Sequence, residues 1–324
     1  MDPSLFRADL EAKPAVLEVL AASLEAEDPF AAVPRDPRRV VFLGMGSSRY
    51  AAGVAALRLR AAGIDAVAEY ASATMGHPPT PDTLVVAVSA SGESAETLDA
   101  VARYAGRSTI LALTNAPGST LATAADVVVD LRAGQESSGI ASRTFQHTGL
   151  LLRALEARLA GRPFDVAELV RRVATATSDL LDRRSDWLPA VLAALEGPDG
   201  VFVLAPAERL ASAEQSALVI REAARRLAVA CETGDWSHVD VYLAKTLDYR
   251  ALIFAGSRWE PQALEWLAMR GSTVVAVGAD LPGAAATVRY VGDDDPDVAA
   301  HAEVLVGELV AAAWAVAQSA PGGP

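Results

Sequence analysis

Three serines and a glycine, closely spaced in Ser89-Ala-Ser-Gly-Glu-Ser94, follow a short apolar run and precede an amphipathic stretch. The run at 84–88 predicts a buried parallel strand, and 93–104 predicts a helix. Gly92 lets the backbone turn close to a ligand, and the helix start offers free N–H groups to whatever lies above the strand. Those amides and the hydroxyls of Ser89, Ser91 and Ser94 suit a phosphate dianion; the same residues also make an ordinary serine-capped helix start. A second turn of this kind, Gly44-Met-Gly-Ser-Ser48, places Ser47 and Ser48 after the strand predicted at 39–43. Loops at the carboxyl ends of parallel strands face one crevice, so the two turns could converge on one ligand. A tight strand-to-helix turn is the alternative, and the third glycine and downstream acid of a dinucleotide fingerprint are missing.

Further along, Ala133-Gly-Gln-Glu-Ser-Ser-Gly-Ile-Ala-Ser-Arg-Thr144 lies between a predicted strand and a long predicted helix. Gly139 and the hydroxyls could bring backbone carbonyls and N–H groups to a sugar, or simply cap the helix. Glu222 falls late in a predicted helix, and His238 closes Glu232-Thr-Gly-Asp-Trp-Ser-His238 after the next strand. A helical Glu is most often solvated and a loop His is most often surface. A carboxylate with an imidazole is also what proton transfer beside a carbonyl needs, the His opening a sugar ring.

The elements that must position these residues alternate. Residues 1–37 read as a helical lead-in, with Leu5, Leu10, Val16, Leu17 and Leu20 among charges. Strands are predicted at 39–43, 66–70, 84–88, 109–113 and 127–131, with helices after the first strand to 62, at 93–104 and from about 141 to 159. Residues 160–198 read as a connecting helical segment. The pattern then restarts, with strands at 201–204, 229–232, 251–254, 273–277 and 288–291 and helices at 207–227, 261–270 and 298–317. Strands separated by helices imply right-handed crossovers and parallel sheets covered on both faces. The chain is therefore expected to be α/β and pseudo-duplicated, divided into 1–37, 38–195 and 196–320. The second half has no triple-serine turn: at the matching place it reads Phe254-Ala-Gly-Ser-Arg-Trp-Glu260, so one phosphate site per chain is expected.

Composition narrows the function. An apolar fraction of 52% over 324 residues supports large cores. A net charge of −13 argues against nucleic acid and acidic membrane surfaces as partners. A single cysteine, Cys231, permits no internal disulfide and fits a reducing compartment. No secretory signal and no uninterrupted membrane-spanning run are read, so the expected localisation is cytoplasmic.

Taken together these segments resemble the sugar isomerase (SIS) domain family over roughly residues 38–318, and within it the isomerase half of glucosamine-6-phosphate synthases. Ser89-Ala-Ser-Gly-Glu-Ser94 looks like the family's Ser-x-Ser-Gly-Glu-Thr phosphate loop. Gly46-Ser-Ser48, Asn115-Ala-Pro-Gly-Ser-Thr-Leu121, Ala133-Gly-x-Glu136 and Ile140-Ala-Ser142 add to the likeness. The resemblance implies two tandem flavodoxin-like three-layer α/β/α domains. It implies phosphate binding by Ser48, Ser89, Ser91, Ser94 and the Ala90 amide, and sugar contacts at Ser47, Ile140 and Ala141. It makes Glu222 the carboxylate that shuttles the C1–C2 proton and His238 the ring-opening group, the spacing between them matching the family's. It also implies a homodimer with His238 supplied across the interface, and neither cofactor nor metal.

Two departures bear on the reaction. The helical Lys one turn before the family's catalytic Glu falls on Val219, and the synthase's C-terminal Lys-bearing tail is not read in Ala320-Pro-Gly-Gly-Pro324. With no glutaminase domain or N-terminal nucleophilic Cys read either, amidotransfer is not expected. The leading expectation is a hexosamine 6-phosphate isomerase or deaminase. The alternatives are a dehydratase that expels the C3 oxygen of N-acetylglucosamine 6-phosphate by β-elimination, and a non-catalytic phosphosugar-binding regulator.

Overall fold

The computed structural model describes residues 2–319. The elements run α1 (Pro3–Glu11), α2 (Lys13–Ala26), β1 (Arg39–Gly44), α3 (Gly46–Ala61), β2 (Asp65–Tyr70), β3 (Thr83–Val88), α4 (Ala95–Ala102), β4 (Thr109–Thr114), α5 (Thr120–Ala124), β5 (Val127–Asp130) and α6 (Arg143–Leu159). They continue with α7 (Val166–Asp182), α8 (Arg184–Leu195), β6 (Val201–Ala205), α9 (Leu210–Ala224), β7 (Ala228–Glu232), α10 (Thr233–Trp236), β8 (Arg250–Phe254), α11 (Glu260–Met269), β9 (Thr273–Val277), β10 (Ala286–Val288), α12 (Pro296–Ala302) and α13 (Val304–Ser319). Two compact units form. One comprises Ala15–Gln135 and Arg143–Arg171; the other comprises the chain up to Pro14, Glu136–Ser142, and the chain from Arg172 on.

In the first unit all strands are parallel, in the order β2-β1-β3-β4-β5. The central strand β3 is buried along its whole length, as a continuous apolar run covered on both faces should be. Val41, Leu43, Val85, Ala87, Ile110 and Ala112 pack against Val101, Tyr104 and Leu121 on one side of this sheet. The order reverses direction between β1 and β3, so a crevice opens at their carboxyl ends, the place where open α/β sheets bind ligands.

The second unit repeats the plan with the sheet order β10-β9-β8-β6-β7, again all parallel. Read from β7, the strands follow the same order as in the first unit. Phe202 stacks on Tyr249 with ring centroids 3.9 Å apart, and buried Trp236 donates its indole N–H to the Tyr249 hydroxyl at 2.7 Å.

Several boundaries differ from the sequence expectation for identifiable reasons. Helix α4 starts at Ala95, because Ser94 caps it by accepting the Thr97 amide while Glu93 is bonded elsewhere. Helix α6 starts at Arg143, because the Glu136 carboxylate takes the Ser142 amide at 2.7 Å. The stretch expected as one helix at 207–227 is a 3-10 turn at Ala207–Arg209 followed by α9, which ends at Arg225 in a left-handed conformation, φ 52°. Strand β10 comes earlier than the expected 288–291, since Asp293 draws Arg289 and the Tyr290 amide into a turn. The closing helix is broken into α12 and α13 at Glu303. Together these span Pro296–Ser319, long and apolar enough to cross a membrane by length and composition, although Glu303 and Glu308 interrupt the apolar run; 89% of its most apolar window is buried inside the protein. It is a core element of the second unit.

Candidate active site

The serine loop is built around Gly92. Its φ is +68°, and a Cβ there would drive into the Ser119 side chain. Only glycine fits both demands. Around it the hydroxyl oxygens of Ser89 and Ser91 accept the amides of Gly92 and Glu93, each at 3.2 Å. Used as acceptors in this way, both serines keep their own O–H protons for a further acceptor. The amides of Ala90 and Ser91 have no acceptor among the described residues. Ser94 is more committed: it caps α4 and donates to Glu96 at 2.9 Å.

Two clamps missed by the sequence reading fix this loop. The Glu93 carboxylate takes the amide and the hydroxyl of Thr120, both at 2.8 Å, tying the loop to the start of α5. The Ala90 carbonyl accepts from the Asn115 amide at 3.0 Å, and the Asn115 side chain bonds both Ala133 and Gly134. Helix α5 was itself not expected, and at five residues it is too short for helical periodicity to show.

Ser47 and Ser48 occupy the first turn of α3, directly after β1. Met45 gives no side-chain cap, so the first amides of this helix lack an intrahelical acceptor, and neither serine hydroxyl has a partner among the described residues. A Cβ on Gly44 would lie 3.1 Å from the Ser48 Cβ, so the small residue lets the helix start fold back against the strand end. Register pairs Leu43 with Ala87, so the turns that follow β1 and β3 leave from neighbouring strand ends at the switch point. The turn that bears Ser47 and Ser48 and the loop from Ser89 to Ser94 therefore both leave the carboxyl ends of adjacent strands of the first unit.

Ile140 and Ala141 belong to the second unit. The Ile140 amide donates to Ser138 Oγ at 3.2 Å, and the Ala141 carbonyl accepts from Gln215 Nε2 at 2.6 Å. The Ala141 amide has no acceptor among the described residues.

Glu222 lies in the last turn of α9 and is exposed. Surrounding protein still desolvates its carboxyl enough to push it above the ordinary carboxylate value, against the pull of Arg221 and Arg225. A raised value moves a carboxylate toward general-base strength near neutrality. Val219, which the resemblance sets at the position of a Lys, is fully buried in the core.

His238 is exposed and follows α10. Trp236 anchors its loop in the core, and Glu232 caps α10 by accepting the amides of Gly234 and Asp235 at 2.8 Å. Helix α9 leads into β7 and runs antiparallel to it. Glu222 therefore lies toward the amino end of β7, whereas His238 follows its carboxyl end. A five-residue strand, about 16 Å long, separates their levels. One chain does not bring Glu222 and His238 within hydrogen-bond reach of each other.

Burial, with Asp240, Asp235 and Glu232 nearby, pushes the Cys231 thiol up to about 12. Such a thiol stays protonated at neutral pH and offers no nucleophile.

In the second unit the switch-point crevice is occupied by the chain itself. Arg209 bonds the Ala255 carbonyl and the buried Glu303 carboxylate, and the Gly256 amide donates to Glu260 at 2.9 Å. The Gly256 amide is thus already taken by a carboxylate, and the Arg209 guanidinium is already paired.

Residues 35–156 match the SIS domain. The glutamine–fructose-6-phosphate aminotransferase (isomerizing) of Aeropyrum pernix is 40% identical over 127 residues, 38% of this chain and 21% of that protein. Its counterpart from Pyrobaculum aerophilum is 30% identical over 243 residues, 72% of this chain and 38% of that protein. The chain thus spans well under half the length of these relatives. Among solved structures, the C-terminal domain of glucosamine-fructose-6-phosphate aminotransferase from Francisella tularensis superposes with a TM-score of 0.80 at 16% identity, covering 96% of this chain and 95% of that one. Tagatose-6-phosphate ketose/aldose isomerase from Escherichia coli gives 0.78 at 15% identity, covering 98% and 96%. Glucosamine-6-phosphate deaminase from Thermotoga maritima gives 0.71 at 18% identity, covering 98% and 94%.

Proposed function

We propose that this chain, which belongs to the SIS-domain family, is an enzyme that isomerises or deaminates a hexosamine 6-phosphate. The observation that carries the reading is the serine loop. It presents free amides and two hydroxyl protons at a switch-point crevice, the donor set a phosphate needs, without relying on net charge. Ser48, Ser89, Ser91, Ser94 and the Ala90 amide hold the phosphate, and Ser47 with the backbone at Ile140 and Ala141 meets the sugar.

Glu222 then moves the C2 proton. His238 opens the pyranose ring by taking the C1 hydroxyl proton and protonating the ring oxygen. With a free 2-amino group, delivery of the C2 proton to C1 yields a ketimine, which water hydrolyses to fructose 6-phosphate and ammonia.

Because one chain keeps Glu222 and His238 apart, the complete site takes its His238 from a second copy. Val239, Tyr242 and Leu243, exposed immediately after His238, give that copy an apolar surface to cover. The chain acts without a cofactor, in the cytoplasm, and needs neither a metal nor glutamine.

A second reading draws support from Val219. With a buried valine where a cation would steer the proton between oxygens, the carbanion at C2 is free to expel the C3 oxygen of a 2-acetamido substrate. Incubation with glucosamine 6-phosphate and with N-acetylglucosamine 6-phosphate separates the two. Ammonia plus fructose 6-phosphate from the former supports deamination, and an ultraviolet-absorbing unsaturated product from the latter supports elimination. Binding of both sugars without turnover of either would instead identify a phosphosugar-sensing protein.

A further inference from the structure

Seven residues of irregular chain, Glu136–Ser142, follow β5 of the first unit yet are held by side chains of the second. Asp9, almost fully buried, accepts the amide of Ser137 at 3.2 Å and that of Ser138 at 2.9 Å. Lys13, with no exposed side-chain surface, reaches the Ser142 carbonyl at 3.4 Å and pairs with Glu308 of α13 at 2.5 Å. Gln215 of α9 donates to the Ala141 carbonyl. Glu136 closes the segment on itself through the Ser142 amide and hydroxyl.

We infer that Asp9, Lys13 and Gln215 are positioning residues that fix the Glu136–Ser142 backbone for recognition of the sugar. The inference rests on the phosphosugar reading above and adds to it the device that orients the sugar end of the ligand. The buried pair is what makes the device visible. Removing two charges from water costs several kcal/mol per ion, and an apolar pair of similar volume would join α13 to the lead-in at least as well. What an apolar pair would not do is carry a donor to the Ser142 carbonyl. Asp9 likewise gives its carboxylate to two amides of the same segment.

Gln215 and Glu222 are seven residues apart on α9, two turns along one face and about 10 Å in rise. Gln215 thereby registers the Ala141 carbonyl against the helix that carries the base. A loop ordered in advance spends none of its binding energy on being ordered by the ligand.

The test compares the wild type with Gln215→Leu, Asp9→Asn and the double variant Lys13→Met/Glu308→Leu, the last chosen because it keeps the volume and removes both charges. Calorimetric affinities for glucosamine 6-phosphate and for inorganic phosphate are measured beside amide hydrogen exchange at residues 137–142. The expected result is faster exchange in the segment and about tenfold weaker sugar-phosphate binding, with phosphate affinity within about twofold of wild type. Faster exchange with unchanged sugar-phosphate affinity overturns the inference, as does an equal loss of affinity for both ligands. A wild type that binds glucosamine 6-phosphate no better than phosphate overturns the phosphosugar reading and the inference with it, a result visible before any variant is made.

Discussion

Gly92 is the residue on which the phosphate reading is most exposed to test. Its positive φ and the crowding by Ser119 leave no room for a side chain. Gly92→Ala is expected to lower stability by about 1–3 kcal/mol and to abolish phosphate binding, read by thermal melting and calorimetry. Ser89→Ala and Ser91→Ala each remove a hydroxyl donor to a dianion and are expected to weaken sugar-phosphate binding roughly tenfold or more, with little change in melting temperature. Glu222→Gln is expected to lower kcat by about 100-fold to 10,000-fold while KM stays near wild type, because the lost step is proton transfer. Glu222 acts as its carboxylate and its pKa is raised, so the acid limb of the kcat profile should lie above the ordinary carboxylate value of 4.5. The serine loop was legible in the sequence because strand, glycine and hydroxyls are contiguous. Asp9 and Lys13 were not, since their partners lie more than a hundred residues away and the lead-in shows only amphipathic spacing.

At the scale of elements, the two units share a strand order but differ in what fills the crevice. In the first unit the loop after β3 leaves donors free. In the second the loop after β8 is closed by Glu260, and Arg209 with Glu303 fills the space beside it. Burial pushes the Glu303 carboxyl up from 4.5 to about 7, against Arg209. The folded chain then holds this proton more tightly than the unfolded chain, so the contribution to stability is complete below about 4.5 and is lost as pH rises through about 7. Glu303→Gln, which cannot ionise, should flatten the melting temperature between pH 5 and 8; an unchanged slope would place the titration elsewhere. Strands were legible because buried parallel runs are continuous, and β9 falls at its expected residues. The ends of α9 and the closing helix were not, because Arg225 and Glu303 are ordinary helix formers whose tertiary surroundings stop the helix.

For the whole molecule, the separation of Glu222 from His238 along β7 has one consequence that a single chain cannot meet. In a two-fold dimer sharing its sites, Glu222→Gln and His238→Asn chains are each inactive alone. Mixed and re-equilibrated in equal amounts, they should recover about a quarter of wild-type activity, because half of the dimers then hold one intact site. The family-like spacing of these two residues suggested that they act together; the direction of α9 relative to β7 keeps them at opposite ends of that strand within one chain. The central claim, that Glu222 moves a proton at C2 of a phosphosugar held by the serine loop, is tested most directly by solvent exchange. Glucosamine 6-phosphate is incubated with the protein in deuterium oxide and followed by proton NMR. Loss of the C2 proton signal with formation of fructose 6-phosphate and ammonia, abolished in Glu222→Gln, is the predicted result. Tight binding of the sugar with its C2 proton retained throughout would contradict it.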